Sequence, residues 1–427
     1  MCDGAGIRLA GAVRLVVADS KTVATSWGPS FRAVARPLGR DDDLFCGLRV
    51  LALGGTLRAV PDTAANNDAF GKSGSQRSPM GYPQARVVAV AECSSHTVLD
   101  AVVGGFKESE RIVSDALNAH VGSGTLLLAD RGLWGLARWH RLRDQGTHLL
   151  WRIERRKARR VQDVLPDGSY LARLEANKHS KAAGTLKAPP ALVRVIEYRV
   201  DGQPDIVRLI TSLTDPEKYP AAELAALYAR RWEIELVFDE IKTHQRGRPV
   251  LRSQTPDGGR QEIYAHLIVH HATRDLLDEA ARLHRITAER TSFTRALHVV
   301  RRTVFSPSGF SPSARRSDRR LGLAEIGRSL LPRRRPRDCP RKIRSCITGH
   351  GSWAAGEPAS HRRSPVVVTL NHRWLRLPRS PCGLPSAAVP TRIPAASWWA
   401  RTVVESTLTS DKSALPALDP SAVMPAG

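Results

Sequence analysis

The sequence predicts an α/β protein: a mixed sheet flanked by helices, with a β-rich insertion ahead of a long polar helix. Three observations carry that prediction. Thr125 to Leu128, the helical stretch ending at Arg143 and the apolar run His148 to Ile153 alternate strand, helix, strand, the arrangement that builds a parallel pair. Residues 155–215 change to the alternating runs YLARL, LVRVIEYRV and IVRLITSL between Lys/Gly/Pro turns, which is the texture of a small antiparallel insertion. From Pro220 to His244 strong helix formers run without an internal Pro or Gly.

Each element follows from its own pattern. Residues 1–44 show no clean period and read as a short, poorly defined N-terminal segment, with Asp41, Asp42 and Asp43 as a solvated turn. LRVLAL, from Leu48 to Leu53, is the first strong strand. Arg86 to Glu92 and Thr97 to Val103 repeat its texture around a Ser94-Ser95 turn and predict a hairpin. Glu108 to Val121 has helical spacing that puts Ile112, Leu117 and Val121 on one side. Gln261 to His284 predicts a second amphipathic helix.

Composition narrows the partners. Over 427 residues, Lys+Arg 65 against Asp+Glu 41 gives a net charge of +24, so a polyanion, nucleic acid first, is the natural partner. Residues 301–345 hold 14 Lys/Arg against 3 Asp/Glu, which predicts a basic arm that grips backbone phosphates through Arg315-Arg316, Arg319-Arg320 and Arg333 to Arg335, or else a merely solvated charge run. Residues 346–427 carry 10 of the 28 prolines with little periodicity and are expected to be disordered. The six cysteines fall without repeating spacing, which favours a reducing cytosol over a disulfide framework or a four-ligand zinc site. The apolar opening Ile7 to Ala18 is broken by Arg8 and Arg14, and no stretch reaches the roughly 18 apolar residues of a membrane span, so no membrane is expected as a partner.

The most informative stretch is YARRWEIELVFDEIK. Tyr228, Arg231, Glu235 and Lys242 lie at offsets that, at about 100° per residue, fall in one narrow stripe. On an arbitrary helix such residues are ordinary surface groups. Here the spacing Tyr-x2-Arg-x3-Glu-x6-Lys resembles the signature of the DDE transposases of bacterial insertion sequences, in the group named for insertion sequence four. LLLADRGLWG is similar to that family's strand-Asp-Arg-Gly motif, and VPDTAANNDAFG to the segment after its first catalytic Asp. The resemblance covers about residues 45–305.

What it implies is specific. The fold would be ribonuclease-H-like, with residues 45–154 as the first part of the catalytic domain, 155–215 as the β insertion and 216–300 as the Glu-bearing helix and C-terminal helices. Asp130 and Glu235 would be the middle and last members of the carboxylate triad and the ligands of Mg²⁺ (or Mn²⁺), two ions in an intact relative. Two such ions activate the attacking oxygen and stabilise the leaving one in phosphodiester chemistry. Tyr228, Arg231 and Lys242 would contact the transposon end, the arginine by a bidentate fork and the lysine as a point charge. The partners would be double-stranded DNA, both transposon ends and target, and a second copy of the chain in a synaptic homodimer. The location would be cytoplasmic and nucleoid-associated.

One departure matters most. The family's first catalytic Asp is expected where this chain reads LALGGTLRAV, and Gly54 stands in its place. A glycine offers no side-chain oxygen, which predicts severely reduced strand transfer, or a non-catalytic DNA-binding remnant as the alternative. Asp62 reads as a turn or cap residue, and neither it nor Asp68 or Asp100 is expected to substitute. After Ser345 the family likeness lapses, as in a frame-shifted or read-through tail. Gly71-Lys72-Ser73, the pair His266 and His270, Cys93 with His96, and Cys339 with Cys346 and His350 are incomplete motifs and are read as structural.

Overall fold

The computed structural model describes residues 27–332, apart from 76–77, 118–120, 155–160, 176–187, 201–205, 246–248, 288–289 and 305–311, together with 368–370. The chain begins there with α1 (Trp27–Val34), which turns Trp27 and Phe31 inward. β1 (Arg49–Ala59) leads to α2 (Ala64–Phe70), whose first turn is capped by the Thr63 hydroxyl accepting from Asn66 N. A small hairpin, β2 (Ser73–Ser75) and β3 (Ser78–Met80), precedes the longer hairpin β4 (Gln84–Glu92) and β5 (Val98–Gly105). One helical turn, α3 (Glu110–Val113), then leads into β6 (Thr125–Ala129), α4 (Leu136–Asp144) and β7 (His148–Arg152).

β8 (Val161–Val164), β9 (Tyr170–Leu174), β10 (Ala191–Val200) and β11 (Ile206–Thr211) follow as antiparallel neighbours, and they continue the main sheet through β7. α5 (Ala221–Tyr228) and α6 (Glu233–Asp239) come next, joined by a 3₁₀ turn and followed by a π-helical stretch, Glu240–Gln245. α7 (Pro256–Leu283), α8 (Phe293–Val304) and α9 (Pro312–Arg328) complete the helical part, and β12 (Val368–Leu370) pairs with β10.

The first five strands of the sheet lie in the order β5-β4-β1-β6-β7. β1, β6 and β7 run parallel, and β4 runs against both of its neighbours. This is the α/β, ribonuclease-H-like mixed sheet that the resemblance implies. Side chains alternate across it, as strand geometry requires. Val50, Ala52, Leu126 and Leu128 face a core completed by Phe31, Ile234, Val237 and Leu267, whereas Leu51, Leu53, Leu127 and Ala129 face a second core with Trp139 and Trp151. Trp134, Trp139 and Trp151 meet edge to face within that second core. α7, α8 and α9 share a third cluster around Leu277, Leu297 and Ile326.

The structure corrects several readings. The helix predicted from Glu108 is one turn that passes into a 3₁₀ turn; Leu117 and Val121 are buried as expected, but Ile112 is 61% exposed and Val113 is buried in its place. The Pro220–His244 run is divided by its 3₁₀ and π segments, so a uniform 100° step does not hold along it. The helix expected from Gln261 begins at Pro256, where Thr255 caps it and proline occupies the first turn. Within the basic stretch, residues 301–304 and 312–328 are helical, and Leu323 and Ile326 pack into the third cluster. Of the tail, Val368–Leu370 is described as a strand. Residues 1–26, Arg333 to Arg335, the remaining tail and the cysteines at 2, 339, 346 and 382 lie outside the described residues. Among the described residues no helix is long and apolar enough to cross a membrane.

Candidate active site

The site begins where β1 outruns β6. The two strands are parallel with Val50 opposite Leu126 and Ala52 opposite Leu128. Asp130 follows the end of β6 in extended conformation, so the same register carried two residues on sets Gly54 level with Asp130. On one side of β1 lies the antiparallel neighbour β4 and on the other the parallel neighbour β6. Such a switch point, outside the carboxyl ends of strands, is where open α/β sheets form their crevices.

Asp130 is half-buried. One of its oxygens accepts from Arg131 N at 2.8 Å, which caps the 3₁₀ turn Arg131–Leu133. Tyr228 reaches the same strand end, its buried hydroxyl donating to the Ala129 carbonyl at 3.2 Å. Burial, then the charge of Asp130, pushes that hydroxyl's pKa well up, so it stays protonated and a donor. Tyr228 therefore faces inward, with its hydroxyl engaged on the strand end.

α6 brings Glu235 to the crevice. Ile234 packs on β1, where a Cβ at Gly54 would stand 3.0 Å from Ile234 Cγ2, and Glu235, the next residue, is exposed. Its carboxylate lies 3.8 Å from the Arg231 guanidinium, a loose pair one helical turn apart. Arg231 is itself mostly covered and stacks on the ring of Trp232. Lys242, on the π-helical stretch, lines a neighbouring crevice with Thr56, Arg58 and His266. The structure thus brings Tyr228, Arg231, Glu235 and Asp130 around one strand end, and places Lys242 farther along β1.

The other acids considered are committed elsewhere or lie apart. Asp62 pairs with Lys72 Nζ at 2.7 Å and Asn67 Nδ2 at 2.6 Å, contacts that hold its carboxyl below the usual range. Asp100 is buried against Arg32, and Asp68 lies exposed on α2. His266 meets Arg58, and His270 meets Glu240 at 3.0 Å, so that pair is structural. Cys93 is buried, which pushes its thiol far up, and His96 is spent on Glu233.

Glu110, which no motif marked, lies over Gly55, on the face of β1 opposite to the one where a Gly54 side chain would meet Ile234. The signal that could have found it is weak, a Ser-Glu at a helix start 20 residues before Asp130. Among the described residues no three His, Cys, Asp or Glu side chains already stand at metal-ligand spacing. The donors at this crevice are oxygens, the ligand type that hard divalent cations prefer.

Residues 46–271 match the family model of the transposase DDE domain. The transposase InsG of insertion sequence element IS4, from Escherichia coli (strain K12), is 31% identical over 305 residues, covering 70% of this chain and 68% of that protein. The transposase-like protein y4zB of Sinorhizobium fredii (strain NBRC 101917 / NGR234) is 36% identical over 138 residues, covering 32% of this chain and 36% of its own length. Among solved structures, the piggyBac transposase synaptic complex with hairpin DNA aligns at a TM-score of 0.41 and 9% identity, over 80% of this chain and 66% of that one.

Proposed function

Because this chain belongs to the transposase DDE-domain family, of the insertion sequence IS4 type, we propose that it processes DNA ends with Asp130 and Glu235 as metal-binding carboxylates, at a rate cut back by Gly54. It is a DNA transposase by family; the reaction is cut-and-paste transfer through phosphodiester hydrolysis and strand transfer, on double-stranded transposon ends and target. The observation that carries the reading is the register: Gly54, Asp130 and the helix bearing Glu235 meet at one strand end.

A divalent cation bound there, Mg²⁺ or Mn²⁺, would activate the attacking oxygen and stabilise the leaving one. The protein's own part is to position. Tyr228, at the end of α5, ties the chain leading into the Glu235 helix to the strand end that carries Asp130, and Arg231 stands beside Glu235 as a fork for a phosphate oxygen. Lys242 adds positive charge along β1, and two copies of the chain would bring two ends together. The place of action is the nucleoid in the cytoplasm. The second reading, a DNA-binding remnant without catalysis, is favoured only by the missing oxygen at Gly54.

The test gives purified protein, Gly54→Asp and Asp130→Asn labelled element ends with Mg²⁺ or Mn²⁺. Gly54→Asp is expected to nick about tenfold faster or more, and Asp130→Asn to lose nicking. Ile234 must yield a few tenths of an ångström to admit the new side chain, so the aspartate is also tested with Ile234→Val. Equal nicking by the original chain and the aspartate variants would remove the argument about the missing ligand. Nicking by Asp130→Asn at the original rate would remove the site assignment.

A further inference from the structure

One histidine from another part of the fold holds the helix that carries Glu235. His96, in the connection between β4 and β5, is buried and has a φ of 59°, a left-handed backbone that non-glycine residues seldom adopt. Its Nε2 lies 2.5 Å from Glu233 Oε2 and its Nδ1 2.9 Å from Arg274 Nη2. Arg274, on α7, also pairs with Glu240, which accepts from His270 Nε2 at 3.0 Å. The cluster therefore ties the first residue of α6 and the first residue of the π-helical stretch to the β4-β5 connection and to α7.

Helix geometry gives these bonds a consequence. Ile234, Val237, Phe238 and Ile241 form the apolar stripe that packs on the sheet. At about 100° per residue, Glu233 and Glu240 fall on one flank of that stripe. Glu235 and Lys242, each two residues further on, fall on the other; the wider π turn shortens the step after Glu240 without bringing Lys242 back to its side. Exposure agrees, since the side chains of Glu233 and Glu240 are 17% and 12% exposed against 46% for Glu235. Apolar burial is non-directional, so the stripe alone holds α6 to the sheet but resists rolling weakly. Hydrogen bonds along one flank are directional and fix the roll. At Gly54 the strand offers Ile234 no side chain to interlock with.

We propose that His96 is a positioning residue: by joining Glu233 to Arg274, the guanidinium that also holds Glu240, it sets the roll of α6 on β1 and so aims Glu235, and Lys242 after it, at the crevices along that strand. The inference rests on the transposase reading of Glu235. A buried ionic cluster adds little net stability over apolar packing of the same volume. What charge-assisted bonds add is direction, and here the direction falls on the helix that carries the site.

The test compares the full-length protein with His96→Leu, which fills the space and forms neither bond, and with His96→Gln, whose amide can donate to Glu233 and accept from Arg274. Amide hydrogen exchange is read by mass spectrometry, and single-turnover nicking of labelled element ends is read in the Gly54→Asp background. His96→Leu is expected to speed exchange over residues 235–245 about tenfold while β6 and α4 exchange as before. It should slow nicking at saturating ends about tenfold or more, and His96→Gln should restore both. Glu233→Ala, at the outer end of the cluster, should loosen the same segment and serves if His96→Leu fails to fold. Unchanged exchange over 235–245, or faster exchange throughout the chain, overturns the inference. So does local loosening with an unaltered nicking rate, or a glutamine variant that behaves as the leucine one. Absence of nicking even with Gly54→Asp overturns the transposase reading and with it the aim assigned to Glu235, while the exchange pattern still decides whether His96 holds the helix.

Discussion

The Tyr228 hydroxyl donates to the Ala129 carbonyl across 3.2 Å, and this bond joins the end of α5, one 3₁₀ turn before the helix that carries Glu235, to the strand that delivers Asp130. The two carboxylates are 105 positions apart in sequence, with four strands of antiparallel sheet between them. Their common location depends on how α5 and α6 dock on β1 and β6, and Tyr228 is the polar contact of that docking.

Tyr228→Phe keeps the ring in the core and removes only the donor. The buried carbonyl loses a partner, which costs about 1 kcal/mol net and lowers the melting temperature by roughly 2–4 °C in a domain of this size. Nicking of element ends should fall several-fold while affinity for those ends is unchanged, because Tyr228 faces inward. A variant that melts normally but binds ends weakly would return the residue to the DNA-contact role read from its motif.

The strands of the first half were legible because Leu48 to Leu53, Arg86 to Glu92 and Thr125 to Leu128 are short apolar runs between turn signals, and burial on both faces leaves such runs few alternatives. The Asp130 and Glu235 neighbourhood was legible through family spacing. The Tyr228 orientation was not: the stripe argument assumed one uniform helix, and the 3₁₀ and π segments change the angular step within it. Glu110 was hidden for a different reason. It lies over Gly55 because α3 closes after one turn with Val113 inward and Ile112 outward, and because Gly55 has no side chain, neither of which local periodicity encodes.

A polar network in the core predicts acid lability. His96 bridges Glu233 at 2.5 Å and Arg274 at 2.9 Å, while Glu240 pairs with Arg274 and with His270. Burial pushes the His270 imidazole below its usual pKa, so as pH falls below about 6.5 the unfolded chain takes up a proton there that the folded chain does not. Burial alone would raise Glu240, but Arg274 and the hydrogen bonds from His270 and His96 hold it well below the carboxylate range. Its stabilisation is present above about pH 4.3 and is lost as pH falls further, through its folded pKa. Glu110 and Asp278, whose carboxyls are raised, act with the opposite sign and soften the decline. Melting temperature is expected to drop from pH 7 to 5 and to drop again below about pH 4. His270→Gln should flatten the first part of that curve, and an unchanged slope would dismiss His270 as its source.

The positive charge near the C-terminal helices divides into two uses. Arg302 pairs with Glu325 at 2.5 Å, Arg319 pairs with Glu279, and Arg301 donates to the Gln245 carbonyl at 2.9 Å, so these three hold α8 and α9 to their surroundings. Arg316 and Arg320 on α9 are exposed and are the better candidates for phosphate contact. Each such contact releases counterions and adds about 0.9 to the slope of log affinity against log salt on duplex DNA. Arg316→Ala with Arg320→Ala should therefore flatten that slope by about 2 on random duplex without altering the melting temperature. Arg319→Ala should leave the slope alone and lower the melting temperature slightly, because a partly exposed ion pair contributes at most about 1 kcal/mol. If the double variant keeps the full slope, α9 is not on the DNA-facing side and the charge that binds duplex lies elsewhere on the chain.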